Sequence, residues 1–359
     1  MEIIEDKLRE LESIPYLGRC PKDFSEFWLE SLRMDSRVPA RLELEKISYP
    51  ITKVEVFSAT VLAGDEVELK GYYLRPALSV INNDGIGKEE KTKEERTDLN
   101  LHEEGRSQLF PGLVRFHGYS GNRGQISELL FWALQGYAIL ALDVRGQSGE
   151  TPDHRVYPSG SFSGWMTLGL ESPHRHYYRQ VYLDAVRAVA ALANQSEVDE
   201  TRIGCIGKSQ GGGLAVAAAA MTNTLGKEVG LPSRVKAVSA AIPFLCDFRR
   251  GYQLQSGGPL DELAWYFQLH DPEHRREKEM FKTLDYFDTV HFAPWLGEEV
   301  SSLVSMGLKD TVCPPATIYA LYRAIEEKKQ LLVYPEYGHE SPDEFVDRQI
   351  EFLAEELGV

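Results

Sequence analysis

The stretch Gly207-Lys208-Ser209-Gln210-Gly211 lies between an apolar run at 203–206 and a helix-forming run at 214–221. A strand, a Gly-x-Ser-x-Gly turn and a helix in this order are typical of a nucleophile elbow, whose sharp turn accepts only small neighbours. The helix N-terminus that follows presents unpaired backbone N–H groups, which can hold an oxyanion. The flanking pattern favours a nucleophilic Ser209 over the alternative, a glycine-rich turn carrying a solvent-exposed serine.

Apolar runs alternate with helix-forming runs on both sides of this turn, which is typical of a parallel sheet with crossover helices. Strands are predicted at 113–116, 138–142, 203–206, 237–242, 302–306 and 331–334, and helices at 128–135, 178–194, 212–221, 315–325 and 343–356. Alternating residues at 53–61 and 66–74, joined by a turn at Gly64-Asp65, predict an antiparallel hairpin. The expected fold class is α/β: an α/β-hydrolase fold with a mostly parallel sheet, an N-terminal β-hairpin and a helical extension.

The 359 residues are predicted to form one α/β-hydrolase domain over 41–359, preceded by an N-terminal helical extension over 1–40. The hairpin and the later strands are expected to share one sheet, which is the reason for a single domain. Residues 79–108 shift abruptly to charged and glycine-containing sequence that buries nothing. They predict a long solvated insertion between two strands.

Two helices are predicted in the extension. Ile4, Leu8 and Leu11 share one face of the first helix. Asp23 and Glu26 have the spacing of a capping box at the start of the second.

Composition narrows the classes of partner. The net charge of −16 argues against nucleic acid, whose phosphates would be repelled, and favours neutral or weakly charged substrates. No apolar run approaches the roughly 18 residues of a membrane span, so no membrane partner is expected. Residues 1–12 lack the basic and apolar regions of a secretory signal. The four cysteines are scattered without metal-ligand spacing, so we expect reduced thiols, a cytoplasmic location, and no metal or other cofactor.

In an α/β-hydrolase the catalytic residues occur along the chain in the order serine, acid, histidine. His339 is the only histidine after the strand at 331–334, and Asp310 follows the strand at 302–306. Asp310 could instead be a turn residue or helix N-cap before Pro314, and Asp247 is the second candidate acid. The predicted catalytic residues are Ser209 as nucleophile, His339 as base and Asp310 as the carboxylate that orients the histidine.

An oxyanion needs two donors near Ser209. The Gln210 backbone N–H follows the nucleophile, and the loop at 117–121 after an earlier strand offers the Tyr119 N–H. A second polar cluster, Arg145-Gly146-Gln147, is expected to support the elbow by hydrogen bonding to loop carbonyls.

The motifs Arg145-Gly146-Gln147, 207–211 and His339-Glu340, in this order, resemble those of carbohydrate esterase family 7, the acetyl xylan esterase and cephalosporin C deacetylase group. The likeness extends over nearly the whole chain from Pro21 onward. The resemblance implies an intracellular enzyme that removes acetyl groups from short acetylated xylo-oligosaccharides and from the antibiotic cephalosporin C. It also implies a homo-hexamer, built as a dimer of trimers, with active sites facing an inner cavity.

The resemblance further implies that Tyr119, Trp132 and Pro243 line a short acyl pocket beside Gln210. Bulky walls there would exclude longer acyl chains by overpacking. The alternative for Trp132 is core packing of its helix. Three features depart from the family: Lys208 stands where glycine is common, Ser148 replaces a usual glycine, and the insertion at 79–108 is longer than usual.

Two other readings remain open. A prolyl-oligopeptidase-like serine peptidase would share the order of catalytic residues. Against it, Gln210 follows the nucleophile where those peptidases usually have tyrosine, and no segment of propeller length precedes the hydrolase region. A binding protein with a disabled site is disfavoured by the complete set of Ser209, Asp310 and His339.

Overall fold

The computed structural model describes residues 2–78, 109–157, 163–231, 234–254, 257–326 and 328–359. The predicted insertion at 79–108 therefore lies outside the described residues. Nine strands form a single sheet: β1 Leu42–Ile47, β2 Val54–Leu62, β3 Glu68–Pro76, β4 Phe110–Phe116, β5 Ala138–Leu142, β6 Val198–Lys208, β7 Val235–Ala241, β8 Ser301–Gly307 and β9 Lys329–Tyr334. Their order across the sheet is β1-β2-β3-β5-β4-β6-β7-β8-β9.

The sheet is antiparallel at one end and parallel elsewhere. β1, β2 and β3 pair antiparallel, and β3 joins β5 in the same sense. All later pairs, from β5–β4 to β8–β9, are parallel. The predicted hairpin is β2–β3, and the six predicted parallel strands are present, with ends that differ by a few residues. Strand β1 was not predicted.

The described helices are α1 Glu2–Glu12, α2 Phe24–Asp35, α3 Ile126–Leu134, α4 Tyr177–Ala193, α5 Gln210–Leu225, α6 Phe248–Leu254, α7 Asp261–His270, α8 Glu277–Leu284, α9 Thr289–Phe292, α10 Pro315–Ala324 and α11 Glu344–Leu357. Helices α4 and α5 pack on one face of the sheet, whereas α3 and α11 cover the other. Each face of a parallel sheet is thus buried, which explains the continuous apolar runs of the central strands. None of the helices in the described ranges combines the length and the apolar character needed to span a bilayer.

The helical extension packs directly on the core. Trp28 of α2 is fully buried, stacks on Tyr182 of α4, and donates its indole N–H to the Tyr286 carbonyl at 3.1 Å. The predicted capping box is wrong, because Asp23 makes no capping hydrogen bond. Its carboxylate instead accepts the Tyr286 hydroxyl at 2.6 Å, a tertiary partner that local spacing cannot reveal. The division into a 1–40 extension and a 41–359 domain stays a prediction.

Helices α6 to α9 lie between β7 and β8 and were not predicted. The preceding loop places Asp247 and Leu245 at positive φ, so the chain leaves the sheet abruptly. We call residues 248–296 the cap segment. One part of it, around Gly258, Pro259 and Glu262, returns to the strand ends and contributes to the cavity described below.

Candidate active site

Ser209 sits at the turn between β6 and α5 with φ 56° and ψ −121°, a conformation that L-residues rarely adopt. A Cβ at position 207 would overlap the Gly211 carbonyl, and one at position 211 would overlap the Phe116 carbonyl. Both glycines are therefore required by the tightness of the turn. The predicted strand–elbow–helix is present, and it raises the serine hydroxyl at the carboxyl end of the sheet.

The three predicted side chains form one hydrogen-bonded series. Ser209 Oγ lies 3.0 Å from His339 Nε2, and His339 Nδ1 lies 2.8 Å from Asp310 Oδ2. The other oxygen of Asp310 accepts the backbone N–H groups of Val312 at 2.8 Å and Cys313 at 2.7 Å. Asp310 is only 4% exposed, so its orientation is fixed from two sides. It acts as a turn residue and as the partner of His339 at once.

Asp247, the second candidate acid, has no contact with His339. Its carboxylate accepts the backbone N–H of Arg250 at 3.3 Å, and its own N–H donates to Asp288. Burial raises the pKa of Asp247 to about 6. Asp247 lies in the loop just before the cap segment and is not part of the series that ends at Ser209.

The two predicted oxyanion donors belong to segments next to the serine: Gln210 follows it in the chain, and a Cβ at Gly118, the neighbour of Tyr119, would lie 4.0 Å from Ser209 Cβ. Within the described residues, neither the Tyr119 nor the Gln210 backbone N–H is taken up by an acceptor. The loop that carries Tyr119 is held by His117, whose Nε2 accepts the Val144 N–H at 2.9 Å while Nδ1 lies 2.8 Å from the Gly118 carbonyl. Burial lowers the pKa of His117, which keeps this supporting imidazole neutral.

The Arg145–Gln147 cluster supports the elbow differently from the prediction. The fully buried Arg145 pairs with the carboxylates of Asp184 and Asp65, not with loop carbonyls. Gln147 hydrogen-bonds the side chain of Gln210, with N–O distances of 2.9 and 3.1 Å. Tyr178 also donates to the Gln210 amide oxygen at 2.9 Å. The residue after the nucleophile is therefore fixed by its side chain.

A buried carboxyl of the cap segment was missed by sequence reasoning. Glu262 accepts the Tyr119 hydroxyl through one oxygen and the Met166 N–H at 2.9 Å through the other. The Tyr119 hydroxyl in turn accepts the Trp165 N–H at 2.8 Å. We call these four residues the Tyr119 clamp. Burial raises the pKa of Glu262 to about 7, since no cation compensates for its lost hydration.

The Tyr119 clamp also explains why position 164 is a glycine. A Cβ at Gly164 would overlap the Glu262 carboxylate, and Gly164 has φ +109°. No local signal in the sequence connects these positions, because Tyr119 and Glu262 are 143 residues apart.

A cavity of about 1100 Å³ opens over Ser209 and His339. Tyr119 and Trp132 line it, as the resemblance implies, although Trp132 also packs in the core cluster with Tyr137. Pro243 is not among the lining residues. It packs against α5 near Gly212. Of the three wall residues that the resemblance implies, Tyr119 and Trp132 line the cavity.

One group of side chains in the described residues has ligand atoms close enough for a metal ion. Atoms of Asp310, Cys313 and His339 all lie within 4.8 Å of one another. Two of these three are already hydrogen-bonded to each other in the series that ends at Ser209. The arrangement is complete for nucleophilic acyl transfer by protein groups alone.

Comparison with known proteins gives the family. The acetyl xylan esterase (AXE1) family model matches residues 1–84 and 92–356. The chain belongs to the acetyl xylan esterase family. The resemblance to carbohydrate esterase family 7 and the predicted α/β-hydrolase fold are thereby confirmed.

Solved structures of two family members are similar over almost their full lengths. An acetyl xylan esterase from Paenibacillus sp. R4 is 35% identical with a TM-score of 0.83, covering 98% of this chain and 99% of that one. Acetyl xylan esterase 1 from Thermoanaerobacterium sp. is 31% identical with a TM-score of 0.80, covering 97% and 98%. The acetyl esterase Axe7A of Xylanibacter ruminicola is 29% identical over 63% of this chain. The match spans about half of that relative, 48% of its length.

Proposed function

We propose that this family member is a serine carboxylesterase that removes acetyl groups from O-acetylated xylo-oligosaccharides and from small acetyl esters such as cephalosporin C. The observation that carries the proposal is the 3.0 Å approach of His339 Nε2 to the strained Ser209 hydroxyl, with Asp310 behind the imidazole. The acetyl xylan esterases similar to this chain support the substrate class.

In the first half of the reaction, Ser209 Oγ attacks the acetyl carbonyl while His339 Nε2 takes the hydroxyl proton. Negative charge forms on the carbonyl oxygen, and the N–H groups of Tyr119 and Gln210 stabilise it. Each such donor is typically worth about 3–4 kcal/mol of barrier. The bond to the alcohol oxygen then breaks, and His339 returns its proton to that oxygen, leaving an acetyl-enzyme on Ser209.

In the second half, a water molecule gives a proton to His339 Nε2 and attacks the acetyl-enzyme. The ester bond to Ser209 Oγ breaks, the serine regains its proton, and acetate is released. Asp310 fixes the imidazole so that Nε2 faces Ser209, and it stabilises the imidazolium in both halves.

Selectivity for short acyl groups is part of the proposal. The Tyr119 clamp holds one wall of the cavity rigidly, and Trp132 is only 6% exposed, so neither wall yields easily to a longer chain. Overpacking a closely packed site costs about 1–3 kcal/mol.

The test is a panel of acetyl, propionyl and butyryl p-nitrophenyl esters, acetylated xylo-oligosaccharides, cephalosporin C and an aminoacyl-proline amide. We expect acetyl esters of both natural classes to react, at least 10-fold loss of kcat/KM from acetyl to butyryl, and no amide cleavage. Equal rates on acetyl and butyryl esters contradict the narrow pocket. Cleavage of the proline amide in preference to acetyl esters would favour the peptidase. Ser209→Ala is the matched control for every substrate.

Assembly and location complete the proposal. We propose a homo-hexamer arranged as a dimer of trimers, which mass measurement in solution tests; a monomer contradicts it. The cytoplasmic location is supported by four unpaired cysteines, Cys20, Cys205, Cys246 and Cys313. Cell fractionation with an antibody tests that location.

A further inference from the structure

One side of the active-site cavity carries cations. Arg115 on β4 pairs in register with Ile206 on β6, and Lys208 pairs with Ala241 on β7. Side chains alternate between sheet faces, so Arg115 and Lys208 share the face of Ile206 and Ala241. That face also carries α3 and α11. All four residues line the cavity.

Polar groups on this side lack protein partners. The side chain of Lys208 is exposed, and its ammonium group makes no ion pair or hydrogen bond within the described residues. Arg115 binds Glu128 through Nη2 at 2.7 Å, while its Nη1 is buried without a hydrogen-bond partner. The hydroxyl of Ser341, also at the cavity wall, is likewise buried and unpaired. We call Arg115, Lys208 and Ser341 the cationic side of the cavity.

Buried polar groups are nearly always satisfied, so unpaired donors beside a cavity mark a place where a water molecule or a ligand can supply an acceptor. The two cations Lys208 and Arg115 and the carboxylate of Glu128 add up to one net positive charge on this side of the cavity. The chain as a whole has a net charge of −16. A local cation in an acidic protein cannot act by long-range attraction, since charges beyond about 8 Å are screened at physiological salt. It can act on a group bound beside it.

Another part of the cavity is lined by Tyr119, Trp165 and Glu262 of the Tyr119 clamp, and Tyr119 and Trp165 pack against the core cluster of the other sheet face. Glu262 there is committed to Tyr119 and Met166, so both of its oxygens are occupied. An anionic group on the substrate would meet a carboxyl in that part and free donors on the cationic side.

We propose that the cationic side binds a carboxylate carried by the alcohol part of the acetyl ester, with Lys208 as the principal partner beside Ser209. The chemical class is an acetylated sugar that bears a uronic acid group; the carboxylates of a β-lactam offer the same chemistry. The inference rests on the proposed esterase function and adds a preference among its substrates. Lys208 is then a specificity residue beside the nucleophile.

The test compares kcat/KM for acetylated xylo-oligosaccharides with and without a uronic acid branch, and for cephalosporin C. In the unsubstituted protein we expect the uronate-bearing ester to be favoured about 10-fold over the neutral one. Lys208→Gln should abolish that preference by raising KM for the acidic ester while leaving the neutral ester within about two-fold. Lys208→Arg should retain it, and Ser341→Ala should reduce it partly. Lys282→Gln, which removes an exposed lysine of the cap segment, is the control for charge alone.

Two further measurements keep the outcomes separate. Free glucuronate should inhibit the unsubstituted protein more strongly than glucose does, and 0.5 M salt should remove the difference. A ratio of acidic to neutral rates that is unchanged in Lys208→Gln overturns the inference. A preference for cephalosporin C alone assigns the site to β-lactam carboxylates and overturns the uronic acid assignment. If no acetyl ester reacts at all, the proposed function fails instead.

Discussion

Two regions meet at the same cavity and are built in different ways. The series Ser209, His339 and Asp310 stands on loops that directly follow β6, β9 and β8. The Tyr119 clamp joins the loop after β4 to the cap segment across 143 residues. The first region is determined by the order of strands in a parallel sheet, because carboxyl ends of neighbouring strands share one edge. The second region depends on how the cap segment packs back against the loop after β4.

The electrostatics of the two regions differ as well. Asp310 accepts two backbone N–H groups and faces an imidazole. Glu262 faces a phenol and a backbone N–H, and burial raises its pKa. The hydrogen-bond partners of Asp310 favour a negative charge on its carboxylate, whereas burial makes a negative charge on Glu262 unfavourable. We therefore expect changes in the first to affect chemistry and changes in the second to affect geometry and pH response.

Ser209→Ala should produce the largest effect, a loss of at least about 10⁴-fold in kcat/KM for p-nitrophenyl acetate, because the acyl acceptor is removed. Labelling by a fluorophosphonate should disappear at the same time. The circular dichroism spectrum and melting temperature serve as the control for folding. Residual activity within 10-fold of the unsubstituted protein would show that another group is the nucleophile.

Asp310→Asn should come next, with kcat reduced about 10³–10⁴-fold, because the asparagine amide disfavours the histidine tautomer that accepts the serine proton. Asp247→Asn is the matched control, since this carboxyl lies outside the hydrogen-bonded series. We expect the control to keep kcat within about three-fold. The opposite ranking of the two variants would make Asp247 the acid.

Tyr119→Phe and Glu262→Gln should each lower kcat/KM by about 10-fold, because the oxyanion loop loses its tether to the cap segment. The double variant should lose little more than either single one, since both break the same contact. Tyr319→Phe removes a hydroxyl that binds Glu12 far from the cavity and should leave activity unchanged. Independent, multiplicative losses would mean that the clamp is not one unit.

The last expected effect is a change in how the free energy of unfolding depends on pH. The pKa of Glu262 is raised from 4.5 to about 7, so the folded state binds its proton more tightly than the unfolded state does. Its stabilising contribution is present below pH 4.5 and is lost as pH rises to about 7. Glu262→Gln should therefore gain, relative to the unsubstituted protein, about 2 kcal/mol between pH 4.5 and 7 in urea unfolding.

Glu128→Gln should change the pH dependence of the unfolding free energy in the opposite direction to Glu262→Gln. Burial favours the neutral form of Glu128, but the Gln125 N–H and Arg115 lower its pKa overall. Its contribution is present above its unfolded value and is lost on acidification, so this variant should lose stability relative to the unsubstituted protein as pH rises from 4 to 7. Parallel pH profiles for the two variants would contradict the assigned shifts.

Particular residues show where sequence reasoning succeeded and failed. His339 was predicted because it is the only histidine after the last strand, and Asp310 was preferred to Asp247 because it directly follows the strand before that one. The predicted capping box at Asp23 was wrong, because the Asp23 carboxylate binds the Tyr286 hydroxyl. The predicted hydrogen bonds from Arg145 to loop carbonyls were also wrong, because its guanidinium pairs with two carboxylates. Pro243 lies beside Gly212 of α5 and is not among the residues that line the cavity, so its role in the acyl pocket stays a prediction. Helices α6 to α9 were not predicted from the sequence.

The sequence by itself determined the sheet, the elbow and the order of the hydrogen-bonded side chains, because alternation of apolar runs and the steric demands of a tight turn are local properties. Only the tertiary structure decided the cavity walls: the Tyr119 clamp, the burial of Glu262 and the unpaired donors around Lys208. Burial and pairing depend on which distant segments come together, and that is settled by packing of the whole chain.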